Sequence, residues 1–271
     1  MIVRTYGAAL ALQVVLSGVS TAATLAEPFP KQGQVVAAYD VTLAGLSLGE
    51  LHLNAKFKGL SYRIQGDGQF SLFFGQFYKS GGEAASAGQL GTAGPEPGSF
   101  TVSYEGGGKG EERRISFNGG EVKDVTITPK SKPGRGHVPV TQEQLRDVLD
   151  PLSAAFLHTQ NGDSVCHGTM PIFDGRLRYD IALTPKRVEA LPAKAPSGLS
   201  HSVDICTVKF MPVSGHKPDN TVIKFLSSTD RIEAWLVQLP NTDLYVPYWI
   251  GVPTIIGSAS VTLTRIDVKP N

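Results

Sequence analysis

The sequence predicts a mainly β protein: an antiparallel meander with one or two short helices covering one face. Period-two alternation of apolar and polar residues runs through most of the chain after residue 34. Turn formers are abundant, with 30 Gly and 18 Pro among 271 residues, which suits many reversals and few long helices. Only the stretch from Thr141 to His158 carries helical spacing.

The alternation begins at Val35–Leu43, breaks at Gly45, and resumes over Glu50–Phe57 before the turn Lys58-Gly59. Tyr62–Phe70 continues it. Further strands are expected over Lys79–Leu90, Ser99–Glu105, Glu111–Asn118 and Val122–Pro129. Gly106-Gly107-Gly108 is a turn, because the spacing of a phosphate-binding loop is absent around it. Lys130–His137 is a basic, Pro/Gly-rich loop. Thr141 is expected to cap a helix, with Gln144 reaching back to its backbone N–H, and Leu145, Val148, Leu149 and Leu152 follow at helical intervals. Asp150-Pro151 would end that helix and start a second over Leu152–His158. Beyond Cys166 come a hairpin over Phe173–Thr184 around Asp174-Gly175, a strand and loop over Pro185–Pro196, and strands at Ser202–Pro212, Val222–Phe225, Arg231–Gln238, Leu244–Gly251 and Ser258–Asp267.

The first residues set an expected compartment. Arg4 precedes the apolar run Ala8–Val19, and the small residues Thr21-Ala22-Ala23 and Thr24-Leu25-Ala26 follow. This is the pattern of a secretory signal peptide, cleaved after Ala23 or, as favoured by the polar Glu27-Pro28 that follows, after Ala26. A membrane anchor would need roughly 20 apolar residues, and Gln13 and Ser17 interrupt this run. The expected organisation is a signal peptide over residues 1–26 and a single β domain over 27–271. The protein would be periplasmic and, once cleaved, not integral to the membrane. The formal net charge of +1 gives no field for nucleic acid. Cys166 and Cys206 are the two cysteines. In an oxidising compartment such a pair reads as a disulfide. A Cys–His metal site with His167 or His201 is the rival, but it lacks the paired spacing of zinc modules.

No motif for catalysis, a cofactor or a metal is present: there is no nucleophile elbow, zincin motif, P-loop or dinucleotide fingerprint. None of the six histidines pairs with another at helical spacing. Asp163, Asp174 and Asp180 lie near Arg176 and Arg178 and resemble an acid–base cluster. The simpler reading is that Asp174-Gly175 makes a turn and the remaining charges pair across strands. Around Ser71–Tyr78 a dense aromatic group interrupts the alternation. Phe70, Phe73, Phe74 and Phe77, with Leu152, Phe156 and Trp235, are candidates either for core packing or for the apolar wall of a ligand cavity.

Several blocks in order carry a resemblance. Cys166 followed by Ile172-Phe173-Asp174-Gly175-Arg176-Leu177-Arg178-Tyr179-Asp180 is similar to the signature of a proteobacterial exported family of unknown function, domain-of-unknown-function family 3108. Supporting stretches are Tyr39-Asp40-Val41 with Ala44-Gly45-Leu46 and Gly49-Glu50, then Asp150-Pro151-Leu152-Ser153-Ala154, then Arg231–Leu236 with Tyr245-Val246-Pro247. The resemblance spans Val35 to Asp267. It implies a curled antiparallel sheet, a half-open barrel or β-spiral, similar in style to envelope-integrity β-spiral proteins and outer-membrane lipoprotein carriers. The cysteine pair fits the family's recurring pair, and the family brings no catalytic residue. The expected function is a non-catalytic envelope protein that binds a lipid-like ligand, a lipoprotein or an envelope protein partner. The alternatives are a scaffold acting only through protein partners, and a hydrolase with an unrecognised site using Asp174 and His167.

Overall fold

The computed structural model describes residues 32–73, 77–91, 94–131, 134–159, 164–240 and 242–270, so the expected signal peptide, Phe74 and Asp163 lie outside the described residues. Among the described residues, fourteen strands form one antiparallel sheet. They are β1 (Gln32–Leu43), β2 (Leu46–Lys58), β3 (Ser61–Phe73), β4 (Phe77–Gly91), β5 (Gly94–Gly106), β6 (Lys109–Asn118), β7 (Glu121–Thr128), β8 (Leu157–His158), β9 (Gly168–Phe173), β10 (Arg178–Ala190), β11 (Ser202–Ser214), β12 (Ile232–Gln238), β13 (Leu244–Thr254) and β14 (Gly257–Pro270). Their order in the sheet is β7-β6-β5-β4-β3-β2-β1-β14-β13-β12-β11-β10-β9, with β8 added to β13. Each hairpin neighbour in sequence is a neighbour in space, as short turns require. Two pairings join strands distant in sequence: β8 with β13, and β1 with β14 from Gly33↔Pro270 to Leu43↔Ala259.

The curled sheet is an open one, with β7 and β9 as its edges. A strap over residues 143–156 lies across this seam. Arg146 bridges antiparallel to Glu121 at the start of β7, and Leu149 bridges parallel to Ile172 on β9. The Leu149 N–H donates to the Pro171 carbonyl at 2.8 Å, and the Phe173 N–H donates to the Leu149 carbonyl at 2.9 Å. Leu145 and Val148 of the strap pack with Phe100, Ile115, Phe117, Val122 and Phe173 in one buried cluster drawn from both sides of the seam. The strap thus satisfies part of two sheet edges that would otherwise be exposed.

The helices expected between Thr141 and His158 are replaced by two single 3-10 turns, Glu143–Leu145 and Ser153–Ala155. The apolar spacing is used differently: Arg146 turns extended after the first 3-10 turn, Asp147 takes φ +52°, and Leu149 joins β9. Gln144 does reach back, accepting from the Thr141 N–H at 3.1 Å. The helix that does form, α1 (Thr221–Ser228), covers Val222–Phe225, which were expected to be a strand. Asn220 caps it, accepting from the Ile223 N–H.

One face of the sheet carries the main buried cluster, with Val35, Tyr39, Ala55, Phe57, Tyr62, Ile64, Val203, Ile205, Val237, Leu244, Tyr248 and neighbours. Strands β11 to β13 are buried on both faces. Val203 and Ile205 of β11 point into the interior, while Cys206 and Val208, on the alternate phase, join Ile232, Ala234 and Leu236 in a second cluster covered by Leu226 of α1. The disulfide Cys166–Cys206 sits in this second layer with Cα atoms 5.3 Å apart, fixing the segment before β9 to the back of the sheet. No helix among the described residues is long and apolar enough to cross a membrane.

Candidate functional site

The resemblance block Asp150-Pro151-Leu152-Ser153-Ala154 lies in the strap and carries its polar anchor. Asp150 is fully buried. Its Oδ1 accepts the backbone N–H groups of Leu152 and Ser153, each at 3.0 Å. Its Oδ2 accepts the hydroxyls of Ser153 at 2.5 Å and Ser86 at 2.8 Å. Tyr62 stands 2.7 Å from Ser153 Oγ. With Asp150 ionised, a consistent proton order runs from Tyr62 to Ser153 to Asp150, with Ser86 donating separately. Burial raises the Asp150 pKa against the pull of these donors, and burial likewise pushes Tyr62 up to about 12. Every polar atom of the network is satisfied within the protein. Its arrangement ties the strap to β3 and β4.

The charged block Asp174–Asp180 lies beside the same seam. Asp174 Oδ1 accepts the N–H groups of Arg176 at 2.8 Å and Leu177 at 2.7 Å, the turn role expected of it. Its carboxylate also pairs with Arg113 at 3.2 Å. Glu111 on β6 binds Arg113 on its own strand at 2.7 Å and Arg176 across the seam. Hydrogen bonding by Arg176, with Arg113 adding to it, holds the Glu111 pKa at about 2. Arg178 donates to the Gln144 carbonyl of the strap at 2.9 Å and also pairs with Asp180. An open recess of about 440 Å³ lies against Arg113, Asp174, Arg176, His137, His216 and Lys217, but both arginines already have carboxylate partners. These charges act as cross-seam ties. His167 lies elsewhere, in a second recess of about 190 Å³ beside Phe156, Val165 and Met170. Among the described residues no group of His, Cys, Asp or Glu is placed to hold a metal ion.

Of the aromatic and aliphatic candidates, those whose side chains are described take these positions. Phe156 is core, edge-on to Phe57 at a centroid distance of 6.1 Å. Leu152 and Trp235 pack against the same interior cluster, and Trp235 meets Trp249 at 5.4 Å. Phe70 is half-buried and pairs with Gly49 on β2. Phe73 and Phe77 face each other as the last rung of β3 and β4, and their side chains, with all of Phe74, fall outside what is described.

A feature that sequence reading missed is the end of the sheet where β1–β2 and β13–β14 turn. Leu46 is 72 % exposed, Ile255 68 % and Ile256 57 %. The two turns touch, since the Ala44 N–H donates to the Ser258 carbonyl at 2.8 Å. The signal was present as uncharged runs over residues 41–49 and 244–264, but only the β1–β14 pairing brings them side by side.

A family model described as protein of unknown function (DUF3108) matches residues 38–264. No curated protein matches the chain. Among solved structures, the chain is similar to a β-barrel-like protein of domain of unknown function DUF1849 from Brucella abortus, with 9 % identity, a TM-score of 0.52, and coverage of 88 % of this chain and 98 % of that one. At that identity the likeness bears on fold alone. From Ala38 to Thr264, through both seam blocks and the disulfide, the chain belongs to the DUF3108 family of proteins of unknown function.

Proposed function

We propose that this is a non-catalytic periplasmic protein of the cell envelope. It works as a rigid scaffold through its exterior, engaging an envelope protein or lipoprotein, and does not carry a lipid inside its sheet. The observation that supports this reading is the tightly buried apolar cluster on the inner face of the sheet. Ala55, Val203, Ile205 and Val237 are fully buried, and Ile64, Leu244 and Val246 nearly so, where a carrier of acyl chains keeps an apolar cavity of several hundred cubic ångströms. The self-satisfied Asp150 network and the seam ion pairs add rigidity without reactive groups. The disulfide suits an oxidising compartment.

Native mass spectrometry of the purified protein tests the reading. The expected mass is that of the polypeptide with one disulfide, unchanged by solvent extraction, and a fluorescent fatty-acid analogue should not bind. A stoichiometric acyl lipid removed by extraction would overturn it. Fractionation tests the compartment, with the protein expected to be released by osmotic shock.

A further inference from the structure

The end of the sheet formed by the β1–β2 and β13–β14 hairpins departs from the rest of the surface. At the opposite end, the β2–β3 turn is flanked by Lys56, Lys58 and Arg63, and β14 finishes through Arg265, Asp267 and Lys269. At this end three large aliphatic side chains, Leu46, Ile255 and Ile256, project from turn tips, and residues 41–49 and 244–264 hold no charge. The first charges behind the β1–β2 tip are Asp40 and Glu50, directly opposite each other, four positions back from Ala44 and Leu46. That is roughly 10–13 Å at the rise of a strand, allowing for the Asp40 carboxylate leaning forward to accept from Ser47 at 2.6 Å. Two hairpins along at this end, past β3–β4, whose tip lies outside the described residues, β5–β6 carries Glu105 and Lys109.

The polar groups of the tips are satisfied locally. Thr254 Oγ1 donates to the Gly257 carbonyl at 2.5 Å and accepts from the Ile256 N–H at 3.3 Å, and the Ala44 N–H reaches Ser258. Tips built this way lose little when water is removed from around them.

We propose that this rim docks on a lipid surface, with Leu46, Ile255 and Ile256 entering the boundary between headgroups and acyl chains. The depth of the uncharged zone matches the roughly 5–10 Å to which interfacial elements sink. Three protruding side chains fall well short of the roughly 800 Å² per partner that a standard protein interface buries, which argues against a second copy or another folded protein as the occupant. The absence of charge makes the attraction hydrophobic and insensitive to salt. This rests on the reading that the protein acts through its exterior and adds a bilayer as one of its partners. The two can fail separately, since a lipid extracted from the interior would end the scaffold reading and leave the vesicle comparison unaffected.

The test uses the full chain and phosphatidylcholine vesicles. The wild type should co-sediment equally at low and high salt. The triple variant Leu46→Ser, Ile255→Ser, Ile256→Ser should partition about a hundredfold more weakly while keeping its near-ultraviolet circular dichroism, because all three sites are exposed turns. A second measurement separates the rim from the apolar run at residues 8–19. A polarity-sensitive dye on Ile256→Cys should shift to the blue on vesicle addition, and the same dye on Leu60→Cys, at the far end of the sheet, should not. Equal shifts at both positions, loss of binding at high salt, or no vesicle binding by the wild type would overturn the proposal. So would self-association abolished by the triple variant, which would assign the rim to a second copy.

Discussion

Asp150 in the strap accepts a 2.8 Å hydrogen bond from Ser86 on β4, 64 positions earlier in the chain. That bond and its neighbours join the seam to the middle of the meander, and their removal leaves buried donors without partners. Asp150→Ala should therefore destabilise the protein by about 2–4 kcal/mol in urea unfolding, since each orphaned donor costs about 1–3 kcal/mol. Asp150→Asn should cost less, because its amide oxygen still receives the Leu152 and Ser153 N–H groups while the serine hydroxyls rotate to accept.

The same carboxyl sets a pH dependence. Its pKa is raised by burial in the folded state, so between the unfolded and folded values the native protein holds more protons than the unfolded chain. Stability from this group is full below the unfolded value and falls as pH rises through the folded one. Unfolding measured across the acid range should show the wild type losing ground to Asp150→Asn as pH increases. A parallel pair of curves would refute this.

Glu111 behaves in the opposite sense. Held at about 2 against an ordinary 4.5, it contributes stability that is present above the ordinary value and lost as pH falls toward 2. Glu111→Gln should cost about 1–2 kcal/mol at neutral pH, as expected for partly exposed charged hydrogen bonds. Amide exchange should quicken in β6 and in the β9–β10 turn more than in β1 or β14.

The disulfide closes a loop with a sequence separation of 40, for which the chain-entropy model gives about 3–4 kcal/mol. Replacing both Cys166 and Cys206 by Ala should lower the melting temperature by about 6–16 °C by calorimetry. An unchanged melting point would show that the segment before β9 is held by packing alone.

A filled interior also makes a prediction. Ala55, fully buried among Phe57, Tyr62 and Phe156, has no room to grow. Ala55→Leu should destabilise by about 1–3 kcal/mol through overpacking, whereas a ligand-sized void would absorb the added atoms without loss.

Much of this fold was legible because strands with one buried face announce themselves by alternation, and tight turns by Gly at left-handed positions such as Gly59 and Gly107. The strap was misread because Leu145, Val148 and Leu149 satisfy a helical period equally well as an extended segment pinned between two sheet edges. The edges themselves, from β7 and β9, come together only in three dimensions. Helix α1 hid for a related reason: Val222–Phe225 is too short to show a period, and its one local sign was Asn220 three residues ahead of Ile223. The disulfide could be read from cysteine number and expected compartment. The role of Asp150 could not, because its partners Tyr62 and Ser86 are far off in sequence.

The pairing of β1 with β14 places these two strands, far apart in sequence, side by side in the middle of the sheet. Two lobes of hairpins, one from each half of the chain, meet at the seam through the strap and its ion pairs, but they share no sheet hydrogen bonds until residue 257 and beyond pair with β1. Such long-range closure is slow. A chain truncated before β14 would leave β1 and β13 as raw edges able to recruit strands from other molecules, so β14 shields both halves of the sheet at once.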